Sequence, residues 1–203
     1  MSIIIENIFH DYLLLFAMVN AVGNLPIFAD LTCDMDRKTR NDAFRIAVVT
    51  AASIVISFAF IGDWMLRQVF VVDTASFKIA GGVLVFAVAA RGMILGPRQL
   101  SGTNQAYDNI AVFPMGFPYL AGPGTIVTTI LLFQSGGSLV TATAALIVYL
   151  TILPILRLVP YAERALGRMG MLVLSRILYI FICAKAVTFM MDGLRSWLAV
   201  PTL

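Results

Sequence analysis

From Asn109 to Leu156 the chain runs for 48 residues without one charged side chain. A bilayer core needs about 20 apolar residues for one helical crossing, so this stretch is long enough for two. It divides at Gln134-Ser135-Gly136-Gly137-Ser138, a cluster of turn-forming residues. The remainder is of the same kind. Of 203 residues, 60% are apolar or aromatic and 12% are charged, whereas a soluble domain carries about 25% charge. Too little polar surface is present to coat a water-soluble globule. A soluble enzyme domain, a nucleic-acid binder and a disordered tail are excluded on that ground.

Six apolar spans follow from the pattern, at about 8–31, 43–62, 77–97, 112–134, 139–159 and 171–192. Pro154 is expected to kink the fifth, and Arg157, Arg164 and Arg168 are expected to lie in a basic loop before the sixth. Residues 98–110 are the most polar stretch and read as a cytoplasmic linker. They separate a first unit, 1–97, from a second, 111–203. The first 36 residues hold no Lys or Arg, so the charged region of a cleavable signal is missing and residues 8–31 are expected to stay as a span. Cys33 and Cys183 lack a disulfide spacing and read as buried thiols.

The two units resemble each other. Phe16 and Met18 recur as Phe113 and Met115, and Pro26 as Pro123, each 97 positions on. Lys78, opening the third span, matches Arg176, opening the sixth, at nearly the same offset. Three spans per unit is an odd number, so the second unit enters the membrane from the opposite side. The expected fold is therefore all-α, a polytopic membrane protein of six transmembrane helices in two inverted three-helix repeats. That layout is typical of secondary transporters. Basic residues in short loops set orientation. With the N-terminus outside, ten fall on the cytoplasmic side (Arg37, Lys38, Arg40, Arg45, Arg91, Arg98, Arg157, Arg164, Arg168 and Arg176). Three fall outside (Arg67, Lys78 and Arg195). Both termini are predicted outside, in the plasma (inner) membrane.

The first span of each repeat is interrupted, once by Asn20-Ala21-Val22-Gly23-Asn24-Leu25-Pro26 and once by Leu120-Ala121-Gly122-Pro123-Gly124. Open backbone in a bilayer core survives only where protein or a cavity satisfies it. A helix restarting after Pro26, or after Pro123 and Gly124, presents free N–H groups and the positive end of a dipole, suited to a carboxylate. Asn20 and Asn24 add side-chain amides and Thr125 a hydroxyl, while Gly23, Gly122 and Gly124 leave room for a ligand. The alternative is that these glycines and prolines merely kink packed helices. Two breaks at equivalent places favour a binding site.

Lys185 lies inside the sixth span, where a charge is costly. It either snorkels to the interface or pairs with Asp11 or Asp192 as a gate or proton-coupling element. Arg91 reads as a positive-inside anchor, Asp63 with Trp64 as an outer boundary, and His10 as an interfacial histidine. Gly81, Gly82 and Gly92 read as sites of close helix packing. No catalytic or metal-ligating set emerges from one histidine and two distant cysteines, and no cofactor is implied. The chain is read as something other than an enzyme.

Asn20 to Phe28, Phe77-Lys78-Ile79-Ala80-Gly81-Gly82, and Leu120 to Ile126 together resemble the MarC family of bacterial and archaeal integral membrane proteins. Leu166-Gly167-Arg168, Ser175-Arg176-Ile177 and Met191-Asp192-Gly193-Leu194 extend the likeness over essentially the whole chain. Ala21 stands where the family often has proline, but Pro26 keeps the break. The resemblance implies membership of a neutral amino acid transporter group that includes SnatA, associated with glycine and alanine. The expected partners are the lipid bilayer and a small zwitterionic substrate, with no nucleic acid. Coupling to protons or sodium, the direction of transport and formation of an oligomer stay open. A small-solute channel, an exporter and a non-transporting membrane scaffold are the competing readings.

Overall fold

A computed structural model describes residues 2–95 and 110–198, and among them all regular structure is helical. Four helical stretches are long and apolar enough to cross a membrane: Arg37–Val69, Thr74–Ile94, Ser138–Arg157 and Met169–Leu198. A fifth results if Ala111–Leu120 and Pro123–Gly136, bent by 54°, are taken as one span. The expected linker, apart from Ile110, lies outside the described residues, as do Arg98, the last two positions expected for the third span, and the side chain of Arg168.

Helix α1 (Ser2–Val19) ends where Asn20 takes a left-handed φ of 49°, a conformation asparagine tolerates better than most residues. The short α2 (Leu25–Leu31) follows, with Pro26 in its first turn. Helix α3 (Arg37–Trp64) starts at Asp36, whose carboxylate accepts from the backbone N–H groups of Lys38 and Thr39 at 3.1 and 3.3 Å. This is N-capping, in which a short polar side chain satisfies the amides that a helix start leaves free. The helix continues as one wider turn, Met65–Val69, and α4 (Thr74–Leu95) returns.

The second half repeats this order with less regular backbone. Segment α5 (Ala111–Leu120) is loosely wound and contains extended residues at Phe113 and Phe117. Each directly precedes a proline, which pushes its neighbour out of the helical region. The sequence reading expected a regular helix there up to the break at 120–124. After Ala121 and Gly122, α6 (Pro123–Gly136) resumes, then α7 (Ser138–Arg157) and α8 (Val159–Leu198). Pro154 sits in the last turn of α7 without interrupting it. Where a basic loop was expected, the helix-favouring run Ala162 to Leu166 is helical, and α8 breaks at Gly167 with φ 64°.

The centre of the bundle is α3 against α7. Helix α3 turns Ala43, Ala47, Ala51, Val55, Ala59 and Gly62 inward, a stripe of small residues along one face. Helix α7 answers with Thr141, Ala144, Ala145, Val148, Tyr149, Ile152 and Leu156. Lipid tails are as apolar as these side chains, so cohesion comes from close packing and hydrogen bonds rather than from escape from water. Glycine supplies the closeness between α4 and α8. A Cβ on Gly82 would stand 2.8 Å from the Ala186 carbonyl oxygen, and one on Gly193 2.8 Å from that of Ala75. The packing role expected of Gly82 is what this contact displays, while a Cβ on Gly81 would meet the Val127 side chain and one on Gly92 the Tyr179 ring.

Six of the main helix contacts map onto themselves or each other when the halves are exchanged. Helix α3 meets α7 and α4 meets α8. Helix α1 lies on α7 as α5 lies on α3, and α2 lies on α8 as α6 lies on α4. The contacts of α6 with α1 and α3 have no counterpart of similar extent.

Candidate binding site

The two breaks lie side by side. A cavity of about 410 Å³ opens between them, within the usual range for small-molecule sites. The first break contributes Asn20 and Asn24, with Met18 and Val19 just before them. The second contributes Gly122, Pro123, Gly124 and Thr125, preceded by Phe113, Pro114, Pro118 and Tyr119. Helix α4 closes one side with Val85, Val88, Ala89, Arg91 and Gly92, and α8 another with Tyr179 and Ile182.

The backbone freed at the breaks is largely accounted for. Asn24 donates through Nδ2 to the carbonyls of Val19 (3.3 Å) and Tyr119 (3.2 Å), and its Oδ1 accepts from the Tyr179 hydroxyl at 3.2 Å. One side chain thus ties α1, α5 and α8. The Ser175 hydroxyl donates to the Gly23 carbonyl at 2.5 Å, and the Tyr149 hydroxyl to that of Leu120 at 2.9 Å. Inside the first break Asn24 N–H donates to Asn20 and Leu25 N–H to Val22. Buried non-helical backbone needs such partners within the protein.

Two polar features stand out near the cavity. Asn20 is 8% exposed and forms part of the wall, yet its Nδ2 has no hydrogen-bond partner. Helix α6 starts at Gly122 without a side-chain cap, and its first internal bond is Ile126 N–H to the Gly122 carbonyl. Gly124 and Thr125, whose amides precede that bond, line the cavity. Thr125 is buried, and its carbonyl accepts from the Thr129 hydroxyl at 2.7 Å.

Six of the eight expected substrate contacts are therefore brought together: Asn20, Asn24, Gly122, Pro123, Gly124 and Thr125. Gly23 and Pro26 do not line the cavity. A Cβ at Gly23 would collide with the Asn20 amide, so this glycine makes room for a side chain rather than for a ligand. Pro26 is buried in α2. That helix has seven residues and starts at Leu25, so the dipole expected after Pro26 is short. The restart that faces the cavity is the one at Pro123.

Asp11 and Lys185 are not brought together. Asp11 is 3% exposed, accepts from the Thr141 hydroxyl of α7 at 3.2 Å, and touches the His10 ring at 3.5 Å. Lys185 Nζ lies 5.4 Å from the centre of the Phe189 ring, a cation–π contact. Asp192 faces Arg195 at 3.9 Å instead. Among the described residues no ion pair joins Lys185 to either acid. Of the two cysteines expected to be buried, Cys33 is exposed and Cys183 half-buried.

Arg91, Tyr119 and Tyr179 were not assigned to the site from sequence. Arg91 had the simpler reading of an anchor. Tyr179 follows Ser175 by four positions, one helical turn, and that polar pair on an apolar helix was the available signal. At the start of α4, away from the cavity, Gln134 Nε2 donates to Asp63 (2.9 Å) and Thr74 (3.1 Å), and Arg67 Nε reaches both Asp63 oxygens. Asp63 is thus more than a boundary residue, because it joins α3 to α6.

A sequence model described as the MarC family integral membrane protein matches residues 5–198. A UPF0056 membrane protein of Archaeoglobus fulgidus is 35% identical, the match covering 93% of this chain and 92% of that protein. The UPF0056 membrane protein YhcE of Escherichia coli is 31% identical over 93% and 92%. One from Methanocaldococcus jannaschii is 30% identical over 90% and 93%. No solved structure matches the chain.

Proposed function

The chain belongs to the MarC family of integral membrane proteins, and from that premise we propose that it is a secondary transporter of small neutral amino acids such as glycine and alanine. The observation that carries the reading is the cavity shared by two helix breaks far apart in sequence. Discontinuous helices meeting at mid-membrane, with a helix start aimed at an anionic group, are the way many transporters hold a substrate. The role is one of binding and movement, without covalent chemistry.

In this reading α1 with α2, α3 and α4 form one three-span repeat, and α5 with α6, α7 and α8 form the inverted second. The reciprocal pairing of α1 on α7 with α5 on α3, and of α2 on α8 with α6 on α4, supports it. The protein sits in the plasma membrane with both termini outside, as the bias of Lys and Arg supports. Arg91 then places the cavity mouth toward the cytoplasm. Asp11 keeps its place as a proton-linked candidate through Thr141, and Lys185 leaves that pair.

The test is uptake of labelled glycine and alanine into proteoliposomes, with and without an imposed proton gradient. Saturable, gradient-dependent uptake is expected. No uptake of either by folded, inserted protein would overturn the substrate assignment, and flux without saturation would replace the carrier with a channel.

A further inference from the structure

Helix α6 carries three layers along its length. Its first residues, Gly124 and Thr125, line the cavity. Next, two side chains seat on glycines of the neighbouring helices. A Cβ at Gly81 of α4 would stand 2.6 Å from Val127 Cγ1, and one at Gly62 of α3 2.6 Å from Ile130 Cγ1. Val127 and Leu131 also join the apolar cluster of Met18, Val85 and Phe189. One turn further, Gln134 Nε2 donates to Asp63 Oδ1 of α3 at 2.9 Å and to Thr74 Oγ1 of α4 at 3.1 Å. Arg67 Nε donates to both Asp63 oxygens, and its side chain is 58% exposed, so this last layer reaches the surface. None of these four residues lines the cavity. At 1.5 Å per residue Gln134 stands about 14 Å beyond Thr125 on one helix. On α4 the exposed Arg91 marks the other end of the cavity, about 25 Å along the helix from Thr74. The 97-residue offset that carries Pro26 onto Pro123 also relates Gln134 to Arg37, Asp63 to Pro160 and Thr74 to Met171. Those three offer no acceptor side chain, so the other half lacks an equivalent tie.

We propose that Gln134, Asp63 and Thr74 are the latch of a gate that closes the cavity at the end away from Arg91. When the latch releases, the end of α6 parts from α3 and α4, and water reaches the cavity from that side. Two observations make this a latch rather than a permanent brace. The tie stands where water can replace it, and hydrogen bonds and ion pairs at a surface exchange with water at small net cost. The layer beneath it rests on Gly62 and Gly81, which have no side chains to interlock with α6. The cavity then opens at one end while the other is shut, which separates a carrier from a pore. The proposal rests on the preceding reading only in taking the cavity as the binding site.

The experiment is pulsed electron–electron distance measurement on the full-length protein in lipid nanodiscs, with Cys33→Ser and Cys183→Ser as background. Spin labels at Val69→Cys and Ser135→Cys span the latch end, and labels at Ile94→Cys and Val112→Cys span the Arg91 end. All four positions are exposed. Gln134→Leu, which removes the donor, is expected to add a longer-distance population at the latch end and no lengthening at the Arg91 end. Thr74→Val removes one of the two bonds and is expected to add a smaller share of the same population. Asp63→Asn combined with Gln134→Glu exchanges amide and carboxylate and is expected to keep the parent distances. A separate reporter, Leu131→Cys, is expected to react with a charged thiol reagent about tenfold faster in Gln134→Leu, as loss of a charge-assisted hydrogen bond implies for an opening equilibrium. Unchanged latch-end distances in Gln134→Leu overturn the proposal. So does lengthening at both ends, which is loss of packing, an exchange pair that opens like Gln134→Leu, or unchanged labelling at Leu131→Cys. The two readings fail separately. Glycine or alanine uptake with unmoved distances removes the latch alone, and a latch that opens in a protein without uptake removes the substrate assignment alone.

Discussion

At the first break the chain turns through five residues between Val19 and Leu25 and carries two asparagines with it. At the second it turns through two, Ala121 and Gly122, with no polar side chain of its own. The first break closes on itself with backbone bonds and reaches out through Asn24 to α5 and α8. The second borrows its partners, taking Asn24 at Tyr119 and Tyr149 at Leu120, and leaves its helix start toward the cavity. The two breaks thus divide the work. One break supplies side chains that tie helices together, and the other leaves the start of its helix beside the cavity. Polar side chains are costly at membrane depth unless every group is paired, so concentrating them on one side leaves the other free for binding.

The largest expected effect comes from removing the tie. Asn24→Leu strands two carbonyls and the Tyr179 hydroxyl, at about 1–3 kcal/mol for each buried group left unpaired. A loss of ~3 kcal/mol or more in unfolding free energy is expected in detergent, together with loss of transport. A stability within ~1 kcal/mol of the parent would break the comparison, since Asn24 would then not be structural.

Next comes Gly124→Leu. The first atom of the new side chain would stand 3.0 Å from Met18 Cε and 3.1 Å from Val85 Cγ2. Both are ends of side chains that can shift, and the rest of the leucine enters the cavity. Uptake is expected to fall by at least about tenfold, equivalent to ~1.4 kcal/mol of lost binding, with the melting temperature nearly unchanged. A variant that unfolds like Asn24→Leu would show that the second break is structural too.

Asn20→Gly sharpens the contrast within the first break. Glycine accepts the left-handed backbone at no steric cost, and the unpaired amide disappears. Stability is expected to change by less than about 1 kcal/mol while KM rises several-fold. An unchanged KM would remove Asn20 from the ligand.

The smallest effect concerns pH, and it contrasts the bare start of α6 with the capped start of α3. Hydrogen bonding to Thr39 and to the Lys38 N–H holds the Asp36 carboxyl below its ordinary value of 3.8. A carboxyl lowered on folding contributes stability above its unfolded pKa and loses it as pH falls through the folded one. Amide exchange at Lys38 and Thr39 is therefore expected to accelerate only below about pH 3.8. The α6 start, with no such carboxylate, should show no step in that window.

Much of this was legible before the structure, and for definite reasons. Glycine and proline act locally, so the breaks at Asn20–Asn24 and at Gly122 could be placed from neighbouring residues alone. Asn20, Asn24, Gly124 and Thr125 were found because polar or small residues stand out in an apolar span. What failed was long-range. Arg91 reaches the cavity because α4 and α8 pack closely enough to set Gly92 on the Tyr179 ring, and no spacing within α4 records that contact. Asp11 and Lys185 were paired because both are charged residues in apolar spans. A threonine and an aromatic ring satisfied them instead. The extended residues at Phe113 and Phe117 were legible from the prolines that follow them and were overlooked beside the louder Gly-Pro-Gly.

The seam between α4 and α8 bears on how such a chain is recognised at all. Phe77 to Gly82 is one of the segments that carry the likeness to the family, and Gly82 lies so close to α8 that a side chain there would strike backbone. What identifies the chain at that point is a demand for empty space, which any cargo would leave unchanged. Arg91, which lines the cavity, stands elsewhere on the same helix, at a place whose size the seam does not dictate. A family signature and a cavity-lining residue can thus share one helix and be free to vary independently.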